Sequence, residues 1–358
     1  MGPRSATPLH LKWIEIDLAA LRSNLKAALG LLGGSKLMAV VKADAYGHGA
    51  EAVSRLALAG GASCLGVLTL AEAVSLRQKG ISGPIVLLAP PLPEQAGLLA
   101  RARVEPTIDS LELADALSRR ARGAQLAVHV DLDYGLGRWG LPPKELDGFL
   151  AALSRRRRLR VRGLSAHIDY VPGKNAVEAE DKLRDFHRRC EAARRRCPGI
   201  LCHAANTSIL LDFPHWKMDM VRLGNFLYGI NPTSRELPLK APWGFYARII
   251  SLREVAKGRP IGYASEYVAP RRMRVATLPA GYADGLTMEP AERLIRLGSG
   301  FQYWGMLRGR QAPFVGRCGI AHVLVDVTRI PDARLGDAVL LPIRRTAASV
   351  RLPRVYKG

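Results

Sequence analysis

Short apolar runs alternate with amphipathic stretches over the first two thirds of the chain. Eight of these runs have the length of buried strands and lie at 37–42, 63–69, 84–88, 103–107, 125–131, 160–167, 201–206 and 218–222. Helical patterns fill most of the gaps between them, notably at 49–58, 71–79, 110–122, 143–155 and 176–197. Because buried parallel strands are nearly continuous apolar runs that alternate with helices, this order favours a (β/α)8 barrel of the TIM type over an open sheet.

The pattern changes beyond about residue 240. Apolar and polar residues are mixed there in short segments between turns, at 245–255, 271–282, 312–327 and 337–342. Such segments are typical of β-strands and predict a mostly β C-terminal domain. We therefore expect an α/β chain with the barrel over residues 1–240 and the mostly β domain over residues 241–358. The early strand at 13–18 can pair into that second domain before the barrel begins.

The composition limits the class of protein. With 358 residues, of which 48% are hydrophobic, the chain is long enough for a large core. No apolar run reaches the roughly 18 residues that a membrane helix needs, so no membrane partner is expected. The first residues, MGPRSATPLHLKW, lack the apolar core of a signal peptide. These features predict a cytoplasmic protein.

The five cysteines are odd in number and irregular in spacing, which argues against a disulfide framework. Cys197, Cys202 and His203 are close in the sequence, but no second cluster of ligand residues accompanies them. Buried or unpaired thiols are therefore the favoured interpretation, and no metal site is expected.

The formal net charge of +22 is the most unusual bulk property. Such a charge permits attraction to nucleic acids. However, much of the clustered charge is arginine in predicted helices, at 155–158 and 194–196, and no nucleic-acid module is recognisable. Solvated helix faces are the favoured interpretation, so a nucleic-acid partner is not expected.

Lys42 ends the apolar run of the first predicted barrel strand and is followed by a short turn with Asp44, Tyr46 and Gly47. A lysine at the mouth of a barrel loses solvent, which lowers the pKa of its amine, and a Schiff-base lysine needs such a change. Taken alone, Lys42 is more easily explained as a surface lysine after an ordinary strand.

Other polar residues also fall at predicted strand ends or in the loops that follow. They are Asp131, Arg138, His167, Asn206 and Arg222. Because chemistry in barrels of this kind takes place at the carboxyl ends of the strands, the sequence predicts a site there.

Seven sequence blocks, in this order along nearly the whole chain, make it similar to the alanine racemase family. They are WIEIDLAALRSNL, VVKADAYGHG, GLGRWG, HAANTS, MVRLGNFLYG, GYADG and LPRVY. VVKADAYGHG is the most specific block. The resemblance implies an isomerase that uses pyridoxal 5'-phosphate to interconvert L- and D-alanine, and so supplies D-alanine for cell-wall peptidoglycan. Alternatives are a racemase of another small amino acid such as serine, and a non-catalytic pyridoxal-phosphate-binding homologue.

The resemblance also implies a role for each matching residue. Lys42 would carry the cofactor and act as one catalytic base, while Tyr263 would act as the second base on the opposite face of the substrate. Arg222 would face the pyridine nitrogen of the cofactor, and His167 would connect Arg222 to Tyr263. The residues expected around the phosphate are Tyr46, Thr207, Gly224 and Asn225, with Asn206 anchoring the loop before Thr207.

Substrate contacts and assembly are carried over in the same way. Arg138 would hold the substrate carboxylate or the phenolic-oxygen side of the cofactor, Tyr282 would line the substrate entrance, and Ile320 would contact substrate. The family takes the tyrosine that matches Tyr263 from the other subunit, so the resemblance implies a homodimer with shared active sites.

Three departures from the family pattern are visible. Asp131 stands where the family often has a carbamylated lysine, and its carboxylate would orient Arg138 instead. Gly319, Ile320 and Ala321 replace the family's Cys-Met-Asp. The C-terminal block that supplies another phosphate-facing tyrosine is absent, since the chain passes almost directly from 337–343 to the terminal LPRVY.

Overall fold

The computed structural model describes residues 10–121, 123, 125–286, 304–343 and 352–358. The chain forms two compact units, one of which is Ala19–Ala241 and the other Met1–Leu18 together with Pro242–Gly358. The sequence predicts the barrel over residues 1–240, with an early strand at 13–18 that can pair into the second domain. Strand β1 (Lys12–Asp17) hydrogen-bonds to strands of the second unit.

The unit Ala19–Ala241 is built on eight parallel strands. They are β2 (Lys36–Val40), β3 (Cys64–Val67), β4 (Ile85–Leu87), β5 (Glu105–Ile108), β6 (Leu126–Leu132), β7 (Leu159–Ala166), β8 (Leu201–His203) and β9 (Met220–Leu223). Their order is β8-β7-β6-β5-β4-β3-β2-β9. Between β8 and β9, the Asp219 amide donates to the Cys202 carbonyl (3.1 Å) and the Arg222 amide donates to the Ala205 carbonyl (2.9 Å), which nearly closes the ring. The predicted parallel barrel is confirmed.

Helices connect these strands. They are α1 (Leu18–Leu32), α2 (Lys42–Tyr46), α3 (Ala50–Ala59), α4 (Leu70–Gln78), α5 (Ala96–Ala102), α6 (Leu111–Arg120), α7 (Leu146–Ser154), α8 (Ala176–Arg196) and α9 (Thr207–Asp212). Helix α4 begins with a capping box, in which the Thr69 hydroxyl accepts from the Glu72 amide while the Glu72 carboxylate accepts from the Thr69 amide. None of the described helices has the length and apolar character needed to cross a membrane.

Side chains fill the barrel interior. Met38, Cys64, Val86 and Met220, from four different strands, pack together in one buried cluster. Most other interior positions along the strands are buried as well. The polar residues that follow the strands are therefore held at the end of a packed core.

The second unit is mostly β, as expected. Its described strands besides β1 are β10 (Trp243–Arg248), β11 (Ser251–Val255), β12 (Pro260–Ile261), β13 (Tyr267–Val268), β14 (Met273–Leu278), β15 (Trp304–Leu307), β16 (Arg310–Pro313), β17 (Val323–Asp326), β18 (Ala338–Leu341) and β19 (Arg354–Lys357). They form a six-stranded sheet of order β16-β15-β18-β10-β1-β19, a three-stranded sheet β11-β14-β17 and the pair β12-β13. β1 pairs antiparallel with β10 and parallel with β19, so the terminal LPRVY block forms a strand. Residues 344–351, where the family block is absent, lie outside the described residues.

The arginines of α8 are largely neutralised by acids on or beside the same helix. Arg184 pairs with Asp181, and Arg188 and Arg189 both pair with Asp185. Arg184, Asp181 and Arg188 are exposed, whereas Asp185 and Arg189 are partly buried, so these pairs belong to a solvated helix face.

Candidate active site

A cavity of about 280 Å³ lies at the carboxyl ends of the barrel strands. Ten of the thirteen predicted site residues line it: Lys42, Tyr46, Asp131, Arg138, His167, Asn206, Thr207, Arg222, Gly224 and Asn225. Because these residues come from five different strand ends and the loops after them, only the closed barrel brings them together.

The turn after β2 has an unusual backbone. Ala43, Asp44, Ala45 and Tyr46 all have positive φ angles of 52–56°, so α2 is a left-handed turn that begins at Lys42. Left-handed geometry costs roughly 1–2 kcal/mol for each non-glycine residue and persists only where surrounding contacts hold it. The sequence predicted a short turn here but not its handedness.

Several contacts hold this turn. The Ala43 amide donates to the Glu72 carboxylate (2.6 Å), and Asp44 accepts from the Ala50 amide (2.8 Å) at the start of α3. The Tyr46 ring lies 4.7 Å from the buried ring of Tyr228. Contacts with Glu72, Ala50 and Tyr228 thus hold the strained turn that follows Lys42.

The amine of Lys42 is easier to deprotonate than that of an ordinary lysine. Partial burial, followed by the positive charge of Arg138, lowers the pKa of Lys42, while Glu72 opposes the shift. A lower pKa increases the fraction of neutral amine, which is the nucleophilic and proton-accepting form.

Part of the cavity lining suits an anionic group. Tyr46, Thr207, Gly224 and Asn225 all line the cavity. A Cβ on Gly224 would lie 2.5 Å from the Tyr46 hydroxyl oxygen, so only glycine leaves room for that hydroxyl. Hydroxyl groups and closely approachable backbone N–H groups are the donors that phosphate needs.

Asn206 fixes the start of α9. Its side-chain oxygen accepts from the Ile209 amide (3.1 Å), which is a helix cap. The Thr207 hydroxyl accepts from the Phe226 amide (3.3 Å), so α9 is tied to the turn after β9. Asn206 thus caps the helix that begins with Thr207, and its role beside a cofactor stays a prediction.

Arg222 is 8% exposed and lies inside the barrel. It donates to the carbonyls of Ala166 (2.7 Å), Ala204 (3.3 Å) and His203, and to Nδ1 of His203 (2.9 Å). Burial lowers the pKa of Arg222 to about 10, against the raising effect of Asp131. The guanidinium therefore stays protonated near pH 7 and can only donate.

His167 follows β7 at the edge of the same group. Its Nδ1 lies 3.5 Å from Nη2 of Arg222, a long contact. Burial, together with the charges of Arg222 and Arg138, lowers the pKa of His167 to about 3. The ring is neutral at physiological pH, so it can hold hydrogen bonds but carries no charge.

Asp131 is buried beside this positive group. The Ser165 hydroxyl donates to its carboxylate. Burial raises the pKa of Asp131 to about 6, while the Ser165 hydrogen bond and the charge of Arg222 limit the shift. Among the described residues, no hydrogen bond joins Asp131 to Arg138, although Asp131 stabilises the charged form of Arg138. The orienting role of Asp131 stays a prediction.

Arg138 is held by a neighbouring aromatic ring. Its guanidinium carbon lies 4.1 Å from the ring centre of Trp139. The buried indole nitrogen of Trp139, beside the cavity, has no hydrogen-bond partner in the described parts of the chain. This stacking points to a positioning role for Trp139.

The other three predicted site residues belong to the β unit. Tyr263, Tyr282 and Ile320 are 56%, 39% and 58% exposed. The Tyr282 amide donates to the Gly319 carbonyl (3.1 Å), next to Ile320. The Tyr263 ring lies 5.8 Å from the ring of His322 in the same loop. The structure thus brings these three residues to one loop cluster.

Sequence reasoning missed several residues at the site, among them Glu72, Trp139, Ser165 and Ser208. The pattern Thr69-Leu-Ala-Glu72 is a visible capping-box signal, but nothing in it indicates that Glu72 also reaches the Lys42 turn. Ser165 becomes visible only once the register of β6 with β7 is known, whereas Ser208 directly follows the predicted Thr207 in α9.

Comparisons with known proteins extend the resemblance. The family model described as "Alanine racemase, N-terminal domain" matches residues 16–232, and "Alanine racemase, C-terminal domain" matches residues 243–353. The curated alanine racemase of Halothermothrix orenii is 37% identical over 339 residues, which cover 92% of this chain and 86% of that protein. That of Syntrophobacter fumaroxidans is 38% identical over 336 residues, covering 92% and 87%. The solved structure of alanine racemase from Clostridium difficile 630 has a TM-score of 0.84 and 28% identity, covering 97% of this chain and 96% of that one.

Proposed function

The chain belongs to the alanine racemase family, and on that premise we propose that it interconverts L- and D-alanine with pyridoxal 5'-phosphate as its cofactor. The single observation that supports this most is the joint placement of Lys42, Arg222 and the Tyr46–Gly224 contact in one barrel cavity. We include in the proposal a cytoplasmic location and a supply of D-alanine for the cell wall.

The cavity fits the three functional groups of this cofactor. Lys42 offers an amine of lowered pKa to the aldehyde. The cradle with Tyr46, Thr207 and Gly224 suits the phosphate. Arg222 offers a donor to the ring nitrogen, and a permanent donor keeps that nitrogen unprotonated. The cofactor, when bound, supplies the electron sink that makes the α-hydrogen of an amino acid acidic.

The residues of this chain then have separate tasks. Arg138, stacked on Trp139, binds the substrate carboxylate. The Lys42 amine takes or returns the α-proton on one face of the substrate. Tyr263 does the same on the other face, because one base does not reach both faces of a planar centre. His167 stays neutral beside Arg222 and leaves the charge on the guanidinium.

A homodimer with shared sites is part of the proposal. Tyr263 is exposed on the β unit, while the Lys42 cavity belongs to the barrel unit. In the proposed dimer, each cavity is completed by the partner subunit's Tyr263.

The cofactor assignment is tested by trapping. Protein mixed with pyridoxal phosphate is reduced with borohydride and mapped by peptide mass spectrometry. We expect one adduct, on Lys42, and its loss in Lys42→Ala. Lys36→Ala is the matched control, because Lys36 is an exposed lysine at the start of the same strand. An adduct that stays after Lys42→Ala, or maps to another lysine, contradicts the assignment.

The substrate is tested on the same preparations. We expect racemisation of alanine by the wild type and by Lys36→Ala, and none by Lys42→Ala. Faster turnover of serine than of alanine would reject alanine as the substrate.

A further inference from the structure

Four side chains form a continuous hydrogen-bonded chain through the barrel interior. Nη1 of Arg222 lies 2.9 Å from Nδ1 of His203. Nε2 of His203 lies 3.0 Å from Nδ1 of His129, and Nε2 of His129 lies 3.0 Å from the Glu105 carboxylate. Both histidines are 1% exposed. The chain joins the cavity to the amino-terminal end of β5, where Glu105 is the first residue.

The two ends of this chain determine the direction of every hydrogen bond in it. Arginine can only donate, and an ionised carboxylate can only accept. His203 must therefore accept at Nδ1 and donate from Nε2, and His129 must do the same. Each ring is then a neutral Nε2–H tautomer, and every polar atom along the chain has a partner.

The electrostatics agree with this assignment. Burial, with the positive charge of Arg222, lowers the pKa of His203 well below its ordinary value, so the ring is neutral. Burial acts to raise the pKa of Glu105, but its hydrogen bond and electrostatic interaction with His129, followed by the charges of Arg162 and Arg160, hold it below its ordinary value. Arg162 lies 3.4 Å from the Glu105 carboxylate at the outer end of the chain. Glu105 is thus an ionised acceptor.

The fold makes room for the chain at one glycine. β7 lies between β6, which carries His129, and β8, which carries His203. Gly163, in β7, pairs with His129, and a Cβ there would lie 2.1 Å from Nδ1 of His129. A register shift between Val128 and His129 marks a bulge at this point. The absence of a side chain at 163 lets His129 reach His203 across the intervening strand.

We propose that Glu105 and His129 are positioning residues that hold His203 in its Nε2–H tautomer and thereby fix the guanidinium of Arg222. With the opposite tautomer, His203 would present an N–H group to an N–H group of Arg222, and a buried donor would be left without an acceptor. Arg222 would then turn away from the ring nitrogen that it is proposed to face. This last consequence rests on the proposed function, whereas the tautomer assignment does not.

The test is ¹⁵N NMR of histidine-labelled protein without cofactor or substrate, because the two ring nitrogens report directly which one carries the proton. We expect Nε2–H for His129 and His203 in the wild type. Glu105→Leu removes the terminal acceptor, so the single tautomer of His203 is lost. Glu105→Gln keeps an oxygen acceptor, so His203 should again have a single tautomer. Glu112→Leu, at an exposed glutamate of α6, is the matched control and leaves both rings unchanged.

A second variant tests the chain without changing any charge. Gly163→Ala forces the His129 ring to move and so breaks its contact with His203. Gly148→Ala is the control glycine, because a Cβ there meets nothing within 4 Å. We expect Gly163→Ala, but not Gly148→Ala, to remove the single tautomer of His203. If Glu105→Leu does not fold, Gly163→Ala still tests whether the chain fixes the tautomer of His203.

The kinetics of the enzyme with bound pyridoxal phosphate give an independent test. By analogy with outer hydrogen-bond partners of metal-bound histidines, Glu105→Leu should lower kcat for alanine by about 10-fold or more. KM should be unchanged, because Glu105 does not touch substrate. A wild type with Nδ1–H on His203, or a folded Glu105→Leu or Gly163→Ala with unchanged tautomers, overturns the inference. If the stated tautomers are found in a protein that does not racemise alanine, only the proposed function fails.

Discussion

Folding strongly changes the pKa of the Asp131 carboxyl group. Its pKa is about 6 in the folded chain, against an ordinary value of 3.8, chiefly because it is buried. Protonation of Asp131 therefore makes its full contribution to the free energy of unfolding below pH 3.8. This contribution is lost as the pH rises through about 6. Two pKa units correspond to about 3 kcal/mol.

Asp131→Asn should remove this pH-dependent penalty. We expect the variant to be more stable than the wild type above pH 6, by up to about 3 kcal/mol in the free energy of unfolding without cofactor, and to lose that advantage near pH 4. Urea unfolding at several pH values measures the difference. Asp147→Asn, at an exposed aspartate, is the control. A stability difference that does not vary with pH would show that Asp131 is not the titrating group.

Tyr263 is expected to serve one face of the substrate only. Tyr263→Phe removes the hydroxyl and leaves the exposed ring in place, so folding and cofactor binding should survive. Racemisation should fall by about 100- to 10,000-fold, as for the loss of a general base. In deuterated water, exchange of the α-hydrogen should become strongly biased toward one alanine enantiomer. Equal exchange from both enantiomers at the wild-type rate would assign the second base elsewhere.

At the scale of elements, the cap of α9 links local helix geometry to the cofactor cradle. Asn206 accepts from the Ile209 amide, and the helix it caps begins with Thr207. Asn206→Ala should lower the free energy of unfolding by about 1 kcal/mol and weaken binding of pyridoxal phosphate. Asn206→Ser, which retains a capping oxygen, should recover most of both losses. If Asn206→Ala binds the cofactor as tightly as the wild type, the cap does not support the cradle.

The barrel elements were predictable because each strand is a distinct apolar run. The run at 125–131 became β6 (Leu126–Leu132), and the helical pattern at 176–197 became α8 (Ala176–Arg196). Lys42 and Arg222 were placed at predicted strand ends, and both line the cavity there, but their chemical roles came from the family resemblance. The left-handed turn was not predictable from Gly47 alone. The four residues before it also have positive φ angles, and none of them is a glycine.

The interior chain was not predictable in the same way. Glu105 and His129 are polar residues within strands. Alternation along a strand divides its residues between two faces, but which face points into the barrel is known only once the barrel is closed. Their contact with His203 also depends on the bulge beside Gly163, which no local pattern encodes. Asp131 was visible at the end of a predicted strand, but its orienting role came only from the family resemblance. Its contact with Ser165 depends on the pairing of β6 with β7.

At the scale of the whole molecule, the proposed dimer leads to a prediction that is tested by mixing two variant subunits. Lys42→Ala and Tyr263→Phe each disable one of the two bases. Mixing the two inactive variants should form hybrid dimers in which one of the two sites has both bases. We expect up to about a quarter of wild-type activity, since half of the dimers are hybrids at random exchange and each has one intact site. No recovery despite demonstrated subunit exchange would contradict shared sites.

The central claim is that this chain racemises alanine through a cofactor held on Lys42. Its most direct test follows L-alanine and D-alanine separately by chiral chromatography, with purified protein and added pyridoxal phosphate. The account predicts that both reactions reach the same equal mixture of enantiomers, and that Lys42→Ala reaches neither. Unchanged alanine in both reactions, from a wild type shown to carry the cofactor on Lys42, would contradict it.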